Sequence, residues 1–267
     1  MRKFTEWFGL TRIPFDKDID EKSIFLYSQI EELHQKLDLA VESQTGALVT
    51  GQAGTGKTTG TRVFLENLPS NRYRVIYLGY DQTGKSMFTR LAAEFGLKLS
   101  NSTSRMIQLS QFIKRHILGS NKQLILVIDE AHLLEWRTLE DIRLLTNYEM
   151  DRRSAVTLIL LGQLWLRTKL KNIGNEALYQ RMRFRYGLEG LTKKQTIEYI
   201  QQQLRLVGCA KELFTDGAYS QVFLASGGIL REINNLCVDA LVQAANQGLQ
   251  KVDEKLMKLV IDQRETS

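Results

Sequence analysis

Gly51-Gln52-Ala53-Gly54-Thr55-Gly56-Lys57-Thr58 reads G-x-x-x-x-G-K-T, the pattern of a phosphate-binding loop. Its flanks give the pattern its meaning. Gly46-Ala47-Leu48-Val49-Thr50 is short, apolar and partly β-branched, which predicts a buried strand. Thr59 to Leu68 places Val63, Phe64 and Leu68 on one face, which predicts a helix. Strand, glycine loop and helix in that order let the backbone curl so that its N–H groups point inward at an anion. The helix opening at Lys57 adds the positive end of its dipole. In such a loop Lys57 reaches the β- and γ-phosphates and the Thr58 hydroxyl ligates Mg²⁺. The expected nucleotide-binding set is therefore Gly51, Gln52, Ala53, Gly54, Thr55, Gly56, Lys57, Thr58 and the adjoining Thr59.

A second signal lies at Leu124-Ile125-Leu126-Val127-Ile128-Asp129-Glu130. An all-apolar run ending in two carboxylates predicts a central parallel strand covered on both faces. Open α/β sheets bind ligands at the carboxyl ends of such strands. Asp129 is expected to hold Mg²⁺, directly or through water, and Glu130 to orient and polarise an attacking water.

The rest of the chain alternates. Residues 1–21 carry Trp7-Phe8-Gly9-Leu10 and Ile13-Pro14-Phe15, too mixed in polarity for a strand, and Pro14 disfavours a helix; an extended arm packed on the body is expected. Helices are predicted over Ser23–Glu42, Lys85–Phe95, Arg105–Leu118, Arg137–Glu149, Leu164–Leu170 and Glu176–Met182, and strands over Tyr73–Leu78, Ala155–Leu161 and Phe184–Leu188. Loops are predicted at Gly79–Gly84 and Lys98–Ser104. This alternation implies a three-layer α/β fold with a parallel sheet, over residues 22–190. From Thr192 no strand-like run returns, and Thr192–Val207, Asp216–Ala225, Gly228–Gln247 and Asp253–Arg264 predict a small helical lid domain over residues 191–267.

Composition sets the limits. Of the 267 residues 43% are hydrophobic and 25% charged, as in a globular protein. Cys209 and Cys237 are too few for a disulfide framework and lack metal-ligand spacing. The longest apolar runs are too short to span a bilayer, and Met1 to Trp7 shows no apolar signal core, so a cytoplasmic protein without membrane contact is expected. A net charge of +6 is compatible with a polyanionic partner.

Gly51–Thr58, Asp129-Glu130, Gln163 after a later strand, Gln180-Arg181, and Gly228-Ile229-Leu230-Arg231 in a final helical region together resemble the AAA+ ATPases. Phe8-Gly9-Leu10 with Ile13-Pro14-Phe15, Asp129-Glu130-Ala131-His132 and Leu160-Leu161-Gly162-Gln163 are similar to the group that contains the secretion-type ExeA ATPases and the transposition ATPases TniB, TnsC and MuB. The resemblance implies that Gln163 meets the γ-phosphate or attacking water as sensor 1. It implies that Arg231 is the sensor-2 arginine of the lid. It further implies that Arg181 is an arginine finger reaching a neighbouring subunit's nucleotide, with Arg183 and Arg185 as alternatives. A finger in trans implies a homo-oligomer, either a helical filament or a ring.

The resemblance also implies a task. In the transposition group, ATP-bound subunits assemble on duplex DNA, select a target and recruit or activate a transposase, with a target-selection adaptor protein as a further partner. ExeA-type proteins usually continue into a membrane segment and a peptidoglycan-binding part; neither is found in these 267 residues, which favours transposition as the expectation. A secretion or envelope-assembly ATPase and a helicase loader are the alternatives. DNA contacts are expected at phosphates, from Lys85, Lys98, Thr103 and Arg105.

Overall fold

The computed structural model describes residues 4–16, 24–79, 84–97, 108–109, 111–112, 115, 119, 121–145, 147–148, 153–154, 156–172 and 174–265. The chain forms two compact units, one of Gln29–Gln52 and Gly56–Leu188, the other of Met1–Ser28, Ala53–Thr55 and Glu189–Ser267.

The first unit is built on five strands: β1 (Ala47–Gly51), β2 (Tyr73–Leu78), β3 (Gln123–Ile128), β6 (Val156–Gly162) and β7 (Phe184–Leu188). They lie in the order β2-β3-β6-β1-β7. Every pairing is parallel. β1 is buried at all five positions and β6 at all seven, because helices cover both faces of the sheet. One face carries Leu48, Ile76, Leu126, Ile128 and Leu160, packed with side chains of α4 (Gly84–Ala93), α5 (Trp136–Leu145), α6 (Trp165–Lys171) and α7 (Glu176–Arg181). On the other face α3 (Lys57–Glu66) lies against β1 and β6. α2 (Ser28–Glu42) crosses α3 so closely that a Cβ on Gly60 would sit 2.8 Å from Ile30 Cδ1.

Register places the functional ends together. Thr50 pairs with Gly162 and Leu160 with Ile128, so the loop after β1, Gln163 after β6 and Asp129 after β3 leave the same edge of the sheet. β6 lies between the two strands that end in the phosphate loop and in the acid pair.

The second unit holds α8 (Lys193–Leu206), α9 (Asp216–Ser226), α10 (Leu230–Asn246) and α11 (Glu254–Glu265). Thr192 opens α8 with a capping box, its hydroxyl accepting from the Gln195 N–H while the Gln195 side chain accepts from the Thr192 N–H. Tyr199 donates to Asn234 Oδ1 at 2.7 Å, tying α8 to α10. Cys209 and Cys237 are free and buried. No described helix is long and apolar enough to cross a membrane.

Three sequence expectations need correction. The N-terminal arm is not wholly extended: α1 (Phe4–Phe8) forms ahead of Pro14 and ends at Gly9, whose φ of +68° lets the Leu10 N–H reach back to the Thr5 carbonyl at 2.8 Å. The helix predicted from Ser23 begins at Ser28, since Phe25 stacks on Tyr27 and meets Tyr199 edge-on, which holds this stretch out of the helix. The helix predicted through Glu149 stops at Leu145, and the two-residue strands β4 (Asn147–Tyr148) and β5 (Arg153–Ser154) follow as an antiparallel pair.

Candidate nucleotide-binding site

The loop has the backbone that its glycines allow. Gly54 (φ +84°) and Gly56 (φ +92°) take left-handed conformations that residues with a Cβ rarely adopt. Gly56 is the residue before α3, and its carbonyl accepts from the Gly60 N–H at 2.8 Å. The first turn of α3 has no side-chain cap at Gly56, which leaves its N-terminal amides facing outward to an acceptor. Thr55 is buried, and Lys57 is only 6% exposed. The Lys57 ammonium donates to the carbonyls of Gly51 at 3.0 Å and Gln52 at 2.7 Å, which keeps the cation at the loop mouth.

Asp129 is buried at the end of β3 and is held by three donors. The Thr58 hydroxyl donates to Oδ2 at 2.7 Å, the Tyr77 hydroxyl donates to the same oxygen at 2.8 Å, and the Glu130 N–H donates to Oδ1 at 2.7 Å. Burial and the bond to Asp129 both push the Tyr77 hydroxyl's pKa upward, so it stays a donor. Among the described residues no group of three or more His, Cys, Asp or Glu could cage a metal. The donor set here, one hydroxyl and one carboxylate, suits Mg²⁺, which keeps waters and nucleotide oxygens in its shell.

Glu130 has a positive φ of +52° and carries a half-exposed side chain, turned to the rim of the site. A non-glycine residue in this conformation stores strain, and such strain clusters at functional positions. Beside it, buried His132 accepts at Nδ1 from the Gln163 N–H at 3.3 Å. Burial lowers the His132 pKa more than the Glu130 carboxylate raises it, so the ring is neutral and the 3.4 Å approach of Glu130 Oε2 to Nδ1 is a contact and not an ion pair. Trp165 meets the His132 ring edge-on, and Lys169 donates to the His132 carbonyl at 2.9 Å.

The structure therefore brings Lys57, Thr58, Asp129, Glu130 and Gln163 to one edge of the sheet. Arg181 is the last residue of α7, and its guanidinium donates to the Arg143 carbonyl at 3.0 Å. Arg185 packs over the Tyr179 ring at 3.9 Å and Arg183 over the Phe184 ring at 5.5 Å, so each of the three candidate fingers has a partner within its own chain. Arg231 lies in the first turn of α10, and its N–H donates to the Gly54 carbonyl at 3.3 Å. Lys85 is placed on α4, while Lys98, Thr103 and Arg105 lie outside the described residues.

Tyr77 and His132 were not foreseen as site residues. For Tyr77 the alternation of β2 gives only that Tyr77 shares a face with Val75, and the register Tyr77↔Val127 that sets it beside Asp129 is a property of the assembled sheet.

Comparison with known proteins agrees with this geometry. Residues 41–170 match the model of a family described as AAA domain. The chain is 31% identical over 253 residues to general secretion pathway protein A of Aeromonas hydrophila, covering 93% of this chain and 46% of that protein. It thus spans about half the length of that curated relative. Among solved structures, Cdc6p from Pyrobaculum aerophilum is similar with a TM-score of 0.73 at 16% identity, covering 89% of this chain and 67% of that one. The Aeropyrum pernix ORC1 protein in complex with DNA has a TM-score of 0.70 at 16% identity, covering 99% and 70%. Such identities speak for the fold alone. By fold the chain is similar to the AAA+ P-loop proteins, and residues 41–170 match an AAA domain. In sequence it is similar to the secretion pathway protein, and in fold to the Cdc6 and ORC proteins.

Proposed function

We propose that the chain is an ATP-dependent, DNA-binding AAA+ ATPase that oligomerises on duplex DNA and regulates transposition, selecting the target and recruiting or activating a transposase. One observation carries the ATP switch at its centre: the Thr58 hydroxyl is bonded to the Asp129 carboxylate at 2.7 Å, which joins the phosphate loop to the acid-tipped strand. The loop amides and Lys57 bind the phosphates, and Thr58 with Asp129 holds Mg²⁺. Bound magnesium neutralises phosphate charge. Glu130 orients the attacking water, and Gln163 reports the state of the γ-phosphate end. Arg181 serves the nucleotide of a neighbouring copy, and Arg231 acts from a C-terminal helical lid over residues 191–267. The net charge of +6 and the DNA in the structure of the ORC1 relative support a duplex partner.

The test is duplex binding at low salt with a non-hydrolysable ATP analogue. Binding that requires the analogue and falls steeply as salt rises is expected. No duplex binding under those conditions sinks the proposal. Glu130→Gln should retain ATP and slow turnover by on the order of a hundredfold or more, the scale of losing a group that activates the nucleophile, and should thereby prolong residence on DNA. A second function, secretion or envelope assembly, is favoured by the 31% identity across 93% of the chain. Nucleotide-dependent self-assembly indifferent to DNA would select it.

A further inference from the structure

Asp129 presents an accounting problem that the nucleotide site alone does not explain. An ionised carboxylate offers about four acceptor positions, two on each oxygen. Tyr77 and Thr58 both donate to Oδ2, at 2.8 Å and 2.7 Å, and the Glu130 N–H takes one position on Oδ1 at 2.7 Å. Oδ2 is thereby filled. Thr58 gives its only proton to Asp129, so the lone pairs of its oxygen remain for a cation. The Tyr77 hydroxyl comes from β2 and the acid from the end of β3, so the sheet register fixes the distance between them. Tyr77 is 48% exposed, so its hydroxyl bond, more than burial of its ring, is what ties it to the site.

We propose that Tyr77 is a positioning residue for the magnesium-bound nucleotide: by occupying Oδ2 together with Thr58 it fixes the Asp129 carboxylate as an indirect partner of the cation and turns the Thr58 oxygen toward it. The inference rests on the nucleotide assignment made above for Thr58 and Asp129. It requires no movement of the loop, since the bonds that orient Thr58 already exist.

The experiment is a Mg²⁺ titration of fluorescent ATP-analogue binding to the whole chain and to Tyr77→Phe, paired with electron-spin resonance of bound Mn²⁺. Tyr77→Phe keeps the ring and is expected to fold, with its thermal midpoint lowered by no more than the loss of one charge-assisted hydrogen bond. Its Mg²⁺ requirement for nucleotide binding should rise on the order of tenfold, the size of effect seen when a group that orients a metal ligand is lost. Nucleotide affinity without metal should stay the same, and the Mn²⁺ spectrum should shift as Oδ2 becomes open to the ion. In an Asp129→Asn background the Tyr77→Phe change should add nothing. An unchanged Mg²⁺ requirement, or a full effect of Tyr77→Phe in the Asp129→Asn background, overturns the role of Tyr77 while leaving the nucleotide site in place. Absence of metal-dependent nucleotide binding in the unsubstituted chain overturns the nucleotide assignment and this inference with it.

Discussion

Lys57 shows how the loop's own backbone positions a charge. Its ammonium is nearly buried and bonded to the Gly51 and Gln52 carbonyls, so the loop's own backbone holds the cation where a phosphate would meet it. Lys57→Ala should weaken ATP binding by on the order of a hundredfold or more in an equilibrium titration, since charge-assisted bonds to phosphate are lost. Parent-like affinity would remove Lys57 from the site. His132 gives a pH-dependent prediction. Its pKa is lowered from the usual 6.5, chiefly by burial. Between the lowered value and 6.5 the unfolded chain therefore binds the proton and the folded chain does not. Stability falls as pH drops through that window and is indifferent to this group above it. Thermal melts of the parent and of His132→Gln from pH 5 to 7.5 should show a shallower slope in the variant. Equal slopes would mean that His132 titrates normally.

At the scale of elements, the strand that carries the phosphate loop is pinned at its other end. The Gly46 N–H donates to the Arg181 carbonyl at 3.2 Å, and a Cβ on Gly46 would lie 2.8 Å from that carbonyl and 2.3 Å from Met182 Cε. Met182 can swing aside, but the carbonyl is backbone. Gly46→Ala should cost about 1–3 kcal/mol in denaturant unfolding, the usual penalty of overpacking, and should shift Arg181. A cost near zero would show that the α7–β7 turn yields freely. Most elements were legible in the sequence because their apolar spacing matches the burial pattern. β3 reads as an apolar run from Leu124 and β6 as one interrupted only by Thr157, both are buried on both faces, and the loop's lysine and threonine fall where the motif puts them. What sequence could not give depends on neighbours across the sheet. Tyr77 touches Asp129 only because β2 pairs with β3, and His132 meets the Gln163 N–H only because β6 runs beside β3. The short helix at Phe4–Phe8 was hidden by Pro14, which bars a helix through itself but not one that ends earlier at Gly9.

The whole molecule poses the question of assembly. Arg181 is tied to the Arg143 carbonyl within its own chain, so service to a neighbour requires that bond to be exchanged for a phosphate oxygen. Mixing Arg181→Ala with Lys57→Ala should restore part of the ATPase activity that each lacks alone, because an intact loop can then face an intact arginine. No recovery on mixing would place the finger elsewhere or within one subunit.

β1 then acquires a meaning beyond its place in the sheet. Five strand residues at about 3.3 Å each make a stiff rod roughly 17 Å long. One tip continues into the phosphate loop, and the Gly46 amide at the other is bonded to the Arg181 carbonyl. In a row of subunits, such a rod would work as a connecting shaft. Under the role proposed for Arg181, a push received at a subunit's own nucleotide would reach that arginine, and occupancy could pass from copy to copy through a single strand.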